Sequence, residues 1–150
     1  MWPAPASAVL GGNALHGAVN VINAIPRQTS LGIEVGPYDY GRINAAGGFE
    51  RGEHAFGASF VGTTTNGYRD NTGYGQQKLN LAHMTQANGW AVNSQLTATL
   101  LNQETGAYVR GFEAYDDPDL RSSNPNPEAY RDAWSMRASS EWVKDQLTLK

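Results

Sequence analysis

The sequence contains no cysteine, which excludes a disulfide framework, a thiolate metal site and a cysteine nucleophile. It also lacks any run approaching the roughly 18 consecutive apolar residues that a membrane-spanning helix needs. Charge is sparse: 17% of the 150 residues are charged, and the formal net charge is −3. The basic residues are scattered, so the electrostatic footprint of a nucleic-acid partner is missing. Helical periodicity at i, i+3, i+4, i+7 is sustained nowhere, which argues against a helical bundle. Met1 is followed by Trp-Pro-Ala-Pro-Ala, with neither the basic start nor the apolar core of a secretory signal. An exported protein with this sequence is expected to begin further upstream. The mean hydropathy of −0.49 does not exclude a membrane strand, because such a strand needs only about 10 residues and every second one faces lipid.

What is present is period two, in runs bounded by turn-forming residues. From Ser30 to Gly36, Leu31, Ile33 and Val35 alternate with small or charged residues. From Arg42 to Glu50, Ile43, Ala45, Gly47 and Phe49 share one face. From Ala55 to Thr63, Phe56, Ala58 and Phe60 do so, with Val61 out of pattern. Gln77 to Thr85 sets Leu79 and Leu81 against Lys78 and Asn80. Trp90 to Leu101 and Ala133 to Trp142 alternate most clearly, and a seventh run starts at Gln146. The chain reads as all-β.

Connection lengths alternate. Arg51-Gly52-Glu53, Ala87-Asn88-Gly89 and Val143-Lys144-Asp145 are of hairpin length, whereas Thr64 to Gln76 and Asn102 to Asp132 are long. In an up-and-down meander the short turns share one end of the sheet and the long loops the other, the arrangement of outer-membrane barrels. Pro37 to Gly41 is short for its side. Phe49, Phe56, Trp90 and Trp142 fall beside the short turns, and Trp134 and Met136 fall at the opposite end. Trp134 to Trp142 spans about 26 Å at roughly 3.3 Å per residue, which a tilt of ~40° lowers to about 20 Å, slightly under the ~25 Å apolar band of such barrels. The same alternation also builds soluble β-sandwiches, whose apolar face is a core. A soluble sandwich that binds carbohydrate through exposed Tyr and Trp is the alternative.

Pro5 to Asn23 reads PASAVLGGNALHGAVNVIN. It resembles the end of the plug domain of TonB-dependent outer-membrane receptors, in a pattern like PxSALYGxNALxGxVNVIT. Pro5, Ser7, Ala8, Gly11, Asn13, Ala14, Leu15, Gly17, Val19, Asn20, Val21 and Ile22 match. Leu10 stands where the family usually has Tyr or Phe, and the closing Thr is missing. Gly67 to His83 and Asp117 to Trp134 resemble barrel segments of the same family. The resemblance implies residues 1–27 as the end of a plug domain and 28–150 as the first strands of a transmembrane β-barrel, about seven of about 22. It also implies a Gram-negative outer membrane, and energy-coupled uptake of a ferric siderophore or other iron complex. The expected partners are outer-membrane lipid, the rest of the barrel and plug, the TonB energy-coupling complex and the extracellular ligand. The coupling box, most of the plug and the remaining strands are expected outside this chain. Glu34, Arg42, Glu50, Lys78, Arg137 and Glu141 then belong to the wet inner face.

No catalytic constellation is present, and neither an enzyme nor a cofactor is expected. Gly11-Gly12 and Gly17 belong to no phosphate-binding fingerprint. His16, His54 and His83 lie far apart without metal-ligand spacing, and no metal is expected. The acidic stretch Glu113 to Asp119 offers oxygen ligands but lacks the EF-hand spacing, so a solvated loop is the simpler reading. Loops on rigid scaffolds carry recognition, and aromatic and Arg side chains suit the rings and negative charge of an iron chelate. The candidate ligand residues are therefore Tyr108, Arg110, Tyr115, Arg121 and Tyr130.

Overall fold

A computed structural model describes residues 25–145 and 147–149. The plug-like stretch Pro5 to Asn23, with its glycines and His16, lies outside the described residues, as does Gln146. Seven antiparallel strands form a single sheet in chain order. They are β1 (Ser30–Gly36), β2 (Tyr40–Arg51), β3 (His54–Thr65), β4 (Tyr74–Ala87), β5 (Trp90–Glu104), β6 (Tyr130–Lys144) and β7 (Leu147–Leu149). Each pairs only with its sequence neighbours, so β1 and β7 are the edges among the described residues. One helix, α1 (Pro118–Ser122), interrupts the β5–β6 connection; period two gives no sign of it.

Most strands run one to three residues beyond the alternating cores at either end. Beyond Glu50, Thr63 and Leu101 the ladder continues through polar residues, because backbone pairing does not require an apolar side chain. At the β6–β7 connection β6 runs through Lys144, so Val143 and Lys144 belong to the strand and the turn begins at Asp145.

The turns follow from their residues. Asn88 and Gly89 both have positive φ, 53° and 79°, as a two-residue type I′ hairpin demands, and Asn-Gly is the pair that adopts it at least cost. Gly52, first in the β2–β3 turn, has φ 62°. These turns set the register on either side: Ala87 pairs with Trp90 and Arg51 with His54.

Register separates the two faces, because directly paired residues point the same way. Ile33 pairs with Ile43, Ala45 with Phe60, Phe60 with Leu79, Leu79 with Ala98, Ala98 with Met136 and Leu100 with Trp134. All lie on one apolar face. On the other face Glu34 pairs with Arg42, Lys78 with Thr99, Thr97 with Arg137 and Asn93 with Glu141. Glu50 reaches the same row through Ala55 and Met84, so all six charged positions expected on the inner face share it. Val61 and Leu101 lie there too. Ser59, Asn80 and Thr97 join their side chains across three strands of this face.

Among the described residues nothing covers the apolar face. Ile33 is 71% exposed and Trp134 77%, and Ala114, in the long loop, is the one buried hydrophobic residue among those described. Gly89→Val tests what sets the β4–β5 register. A Cβ there meets only Lys144 Cε at 3.6 Å, so the cost is backbone strain, about 1–3 kcal/mol for a β-branched residue at positive φ. A fall in the denaturation midpoint of that size is expected, with Gly89→Asn restoring most of it.

Candidate functional site

The three connections at the end opposite the tight turns are 37–39, 66–73 and 105–129. They are laced into one layer. Tyr38 and Asp39 take positive φ, 60° and 55°, a strained conformation for a bulky residue. External hydrogen bonds hold it: the Tyr38 carbonyl accepts from Asn66 N at 2.8 Å and from Thr65 Oγ1 at 3.0 Å. Asn66 Nδ2 donates to Asp39 Oδ2 at 2.6 Å, and the Tyr38 and Tyr68 rings meet edge to face, centroids 6.5 Å apart.

Arg69 ties the second connection to the third. Its Nη2 donates to the carbonyls of Ala107 at 2.6 Å and Ser123 at 2.7 Å, and its Nε donates to Ser123 at 2.9 Å. Asp70 N donates to the Ser122 carbonyl at 2.9 Å, and Asn124 Nδ2 to the Asn71 carbonyl at 2.9 Å. The Ser122 and Ser123 carbonyls close α1, so residues 69 and 70 satisfy groups that a helix end leaves unpaired. At the other end of α1, Asp117 Oδ1 accepts from Asp119 N and Leu120 N at 2.9 and 3.1 Å, an N-cap. That is where the acidic stretch spends one carboxylate. Glu104 fastens the base of the loop, accepting from Gly73 N at 3.0 Å.

The five residues expected to contact a ligand are not gathered into one cluster. Arg110 lies over the Tyr108 ring, its Cζ 5.2 Å from the centroid. Tyr115 is exposed just before α1, and Arg121 sits in the last turn of α1, exposed. Tyr130 opens β6 opposite Glu104, on the apolar face two steps out from Asp132 and four from Trp134. Tyr38, Tyr68 and Phe112, the last 93% exposed, were not singled out by sequence and extend the layer's aromatic surface. Arg69 was missed as well, although it lies in the GYRDNTG segment: a guanidinium that bridges loops leaves no local pattern.

At the turn end the structure corrects the view of the histidines as far apart. His54 Nδ1 and His83 Nε2 are 3.0 Å apart. The ring centroids are 5.3 Å apart and the planes 14° from parallel. That separation is about what two rings give when meeting edge to edge along the N···N line, the geometry of an N–H···N hydrogen bond. A metal bound by both nitrogens would need them wider apart or angled toward a common point. Among the described residues no group of three or more His, Asp or Glu can hold a metal ion. Phe49 stacks on Phe56 at 5.2 Å and Phe56 on His83 at 4.7 Å. Trp90 meets Trp142 edge to face at 6.4 Å, with Lys144 Nζ 5.8 Å from the Trp90 ring centre.

Beside this aromatic row the apolar face holds an open trough of about 1230 Å³ lined by Gly47, Phe56, Ala58, Phe60, Leu81 and Leu96 among others. No family model, curated protein sequence or solved structure matches the chain, so the likeness of Pro5 to Asn23 to a plug end rests on the residues quoted for it.

Arg69→Ala removes three hydrogen bonds to main-chain carbonyls, each charge-assisted and worth about 1.5–3 kcal/mol where fully formed. Limited proteolysis within 105–129 should accelerate at least ~10-fold, a loss of only ~1.4 kcal/mol of local stability, while hydrogen exchange in β4 and β5 stays as in the parent. Arg69→Lys should not rescue it, because a single ammonium lacks the planar fork that spans two carbonyls.

Proposed function

We propose that this chain is part of the wall of an outer-membrane TonB-dependent receptor, with residues 1–27 the end of its plug and 28–150 the first strands of its barrel. The reading rests on one observation above others: a single meander whose apolar face no other described element covers, with tight turns at one end and laced long loops at the other. A face carrying Leu31, Ile33, Val35, Trp134 and Met136 needs a non-aqueous neighbour. Hydrocarbon is such a neighbour, and the polar face with its six charges then meets a wet lumen.

In this reading the short turns are periplasmic and the loop layer faces the exterior. The layer meets the ligand, a ferric siderophore or other iron complex, through Tyr108 and Arg110 with Tyr115, Arg121 and Tyr130. The Arg110–Tyr108 pair offers a cation and a π face together, suited to a flat or anionic chelate. The complete receptor performs binding and passage, not catalysis, and this chain alone transports nothing. Its partners are outer-membrane lipid, the remaining strands and plug, and the energy-coupling complex acting on the complete receptor.

A second reading draws on the trough. A second β-layer packed on the apolar face would make a soluble sandwich, with the loop aromatics facing a carbohydrate.

Single cysteines in the complete receptor separate the two, since the chain has none of its own. With a lipid-borne thiol reagent, Trp134→Cys, Met136→Cys and Ala138→Cys should label, and Ser135→Cys, Arg137→Cys and Ser139→Cys should not. The reverse pattern refutes the orientation. Labelling of neither set, with a monodisperse protein in detergent-free buffer, refutes the membrane reading in favour of the sandwich.

A further inference from the structure

Two Asn-Gly pairs stand in connections of this sheet, Asn66-Gly67 after β3 and Asn88-Gly89 between β4 and β5. In such a pair the main-chain nitrogen of the glycine can attack the asparagine carboxamide, because glycine puts no side chain in the way. The two pairs share that chemistry and differ in what holds them. Asn66 N donates to the Tyr38 carbonyl at 2.8 Å, and Asn66 Nδ2 to Asp39 Oδ2 at 2.6 Å. The attacking atom there, Gly67 N, donates to Thr65 Oγ1 at 3.1 Å. Asn88 and Gly89 are exposed, and among the described residues no hydrogen bond reaches the Asn88 carboxamide or the Gly89 N–H. The Ala87–Trp90 pair closes the tip behind them.

We propose that Asn88 is a deamidation site, a spontaneous modification that turns the β4–β5 hairpin tip into a mixture of aspartyl-Gly and isoaspartyl-Gly, while Asn66-Gly67 is spared. Water is the only co-reactant. Gly89 N bonds to Asn88 Cγ, its proton passes through solvent to the carboxamide nitrogen, and that nitrogen leaves as ammonia. A five-membered imide remains, and water opens it at either of two bonds. Breaking the new N–Cγ bond leaves an aspartate at position 88. Breaking the bond from Gly89 N to the main-chain carbonyl carbon leaves an isoaspartate, whose chain runs through Cγ with one extra main-chain atom.

With φ 53° at Asn88, a left-handed backbone turns Gly89 N away from the Asn88 side chain, so the ring closes only when the tip opens. Opening it breaks one strand pair at an exposed hairpin end, where local openings cost least. At Asn66 the bonds to Tyr38, Asp39 and Thr65 must break as well. The two products differ in effect. Asp-Gly suits a two-residue type I′ turn as Asn-Gly does, and a Cβ on Gly89 would lie 3.6 Å from Lys144 Cε, which puts an ammonium near the new carboxylate. The isoaspartate lengthens a loop whose two-residue length sets the register, so Ala87 and Trp90 lose their pairing. The modification is a one-way loosening of the turn end, and it holds whether the apolar face meets lipid or a second layer.

The test incubates the full chain at mildly alkaline pH, folded in detergent or plain buffer and unfolded in urea. Trypsin puts the two sites in separate peptides, 52–69 and 79–110, and fragment-ion mass spectrometry locates each change of amide to acid. Folded, Asn88 should convert at least about tenfold faster than Asn66, because one hydrogen bond to a charged group is worth what tenfold in rate corresponds to, ~1.4 kcal/mol. In urea the two rates should come together. Thr65→Val, which frees Gly67 N, should speed Asn66 several-fold and leave Asn88 unchanged. Hydrogen exchange at Ala87 and Trp90 should rise in the isoaspartyl fraction and stay as in the parent in Asn88→Asp. Equal rates in the folded chain, a faster Asn66, or an Asn88 that stays intact while the unfolded chain converts would each overturn the proposal. So would an excess at Asn88 that persists in urea, since the fold would then not be its cause.

Discussion

Main-chain hydrogen bonding between sequential strands holds the described residues together, because Ala114 is the one buried hydrophobic residue among them. Six antiparallel ladders account for the architecture, whereas in an ordinary domain apolar burial carries most of the stabilisation. Two consequences follow. Each ladder is only as well defined as its turn and alternation, so the Asn88-Gly89 hairpin and the matched faces matter more than in a packed domain. Among the described residues β1 and β7 are edges, and the main-chain groups of an unpaired edge can be satisfied by water but not by hydrocarbon. A membrane setting therefore demands further strands at both edges, and the three-residue pairing of β7 with β6 is the weakest of the six.

The loop layer solves the complementary problem at the outer end. A connection of some 25 residues with only one short helix is costly to order, and 105–129 is held by Arg69 on two carbonyls, Asp70 on Ser122, Asn124 on Asn71, Thr105 on Ala129 and Asp117 capping α1. These contacts use main-chain acceptors and polar side chains, which leaves the rings of Tyr108, Phe112 and Tyr115 outward. The division suits recognition, since the groups that order the loop are not those it presents.

The strands were legible in the sequence because period two shows wherever one face is apolar, and β1 matches its alternating run residue for residue. The tight turns were legible through Asn-Gly and Gly. What alternation cannot supply is the register across a long connection: it fixes which residues share a face and leaves shifts of two residues open. The pairing of Phe56 with His83 across the 66–73 connection is such a case, and it brings His54 to His83 from 29 residues away. Helix α1 was hidden for a different reason. Five residues carry no periodicity, and the helix depends on its Asp117 cap and on Arg69 and Asp70 at its far end. The plug-like stretch Pro5 to Asn23 lies outside the described residues.

How side chains are distributed over the apolar face bears on which neighbour it meets. A sandwich core about 10 Å thick is filled by interdigitating side chains; here the middle rows mix small and large residues, Gly47, Ala58, Leu81, Leu96 and Ala138 in one and Ala45, Phe60, Leu79, Ala98 and Met136 in the next. Rings also stand towards both ends, Phe49, Phe56, Trp90 and Trp142 at one and Trp134 at the other. Polar pairs close the band just beyond or among them, His54 with His83 on the turn side and Asn102 with Asp132 on the loop side. Trp142 Nε1 donates to Ser140 Oγ at 2.8 Å, and Ser140 and Ser94 share a hydrogen bond of 2.8 Å, so these polar groups are paired within the face itself. A facing sheet would have to fill the gaps above Gly47, Ala58 and Ala138 with bulk of its own, whereas fluid hydrocarbon would need no complementary shape.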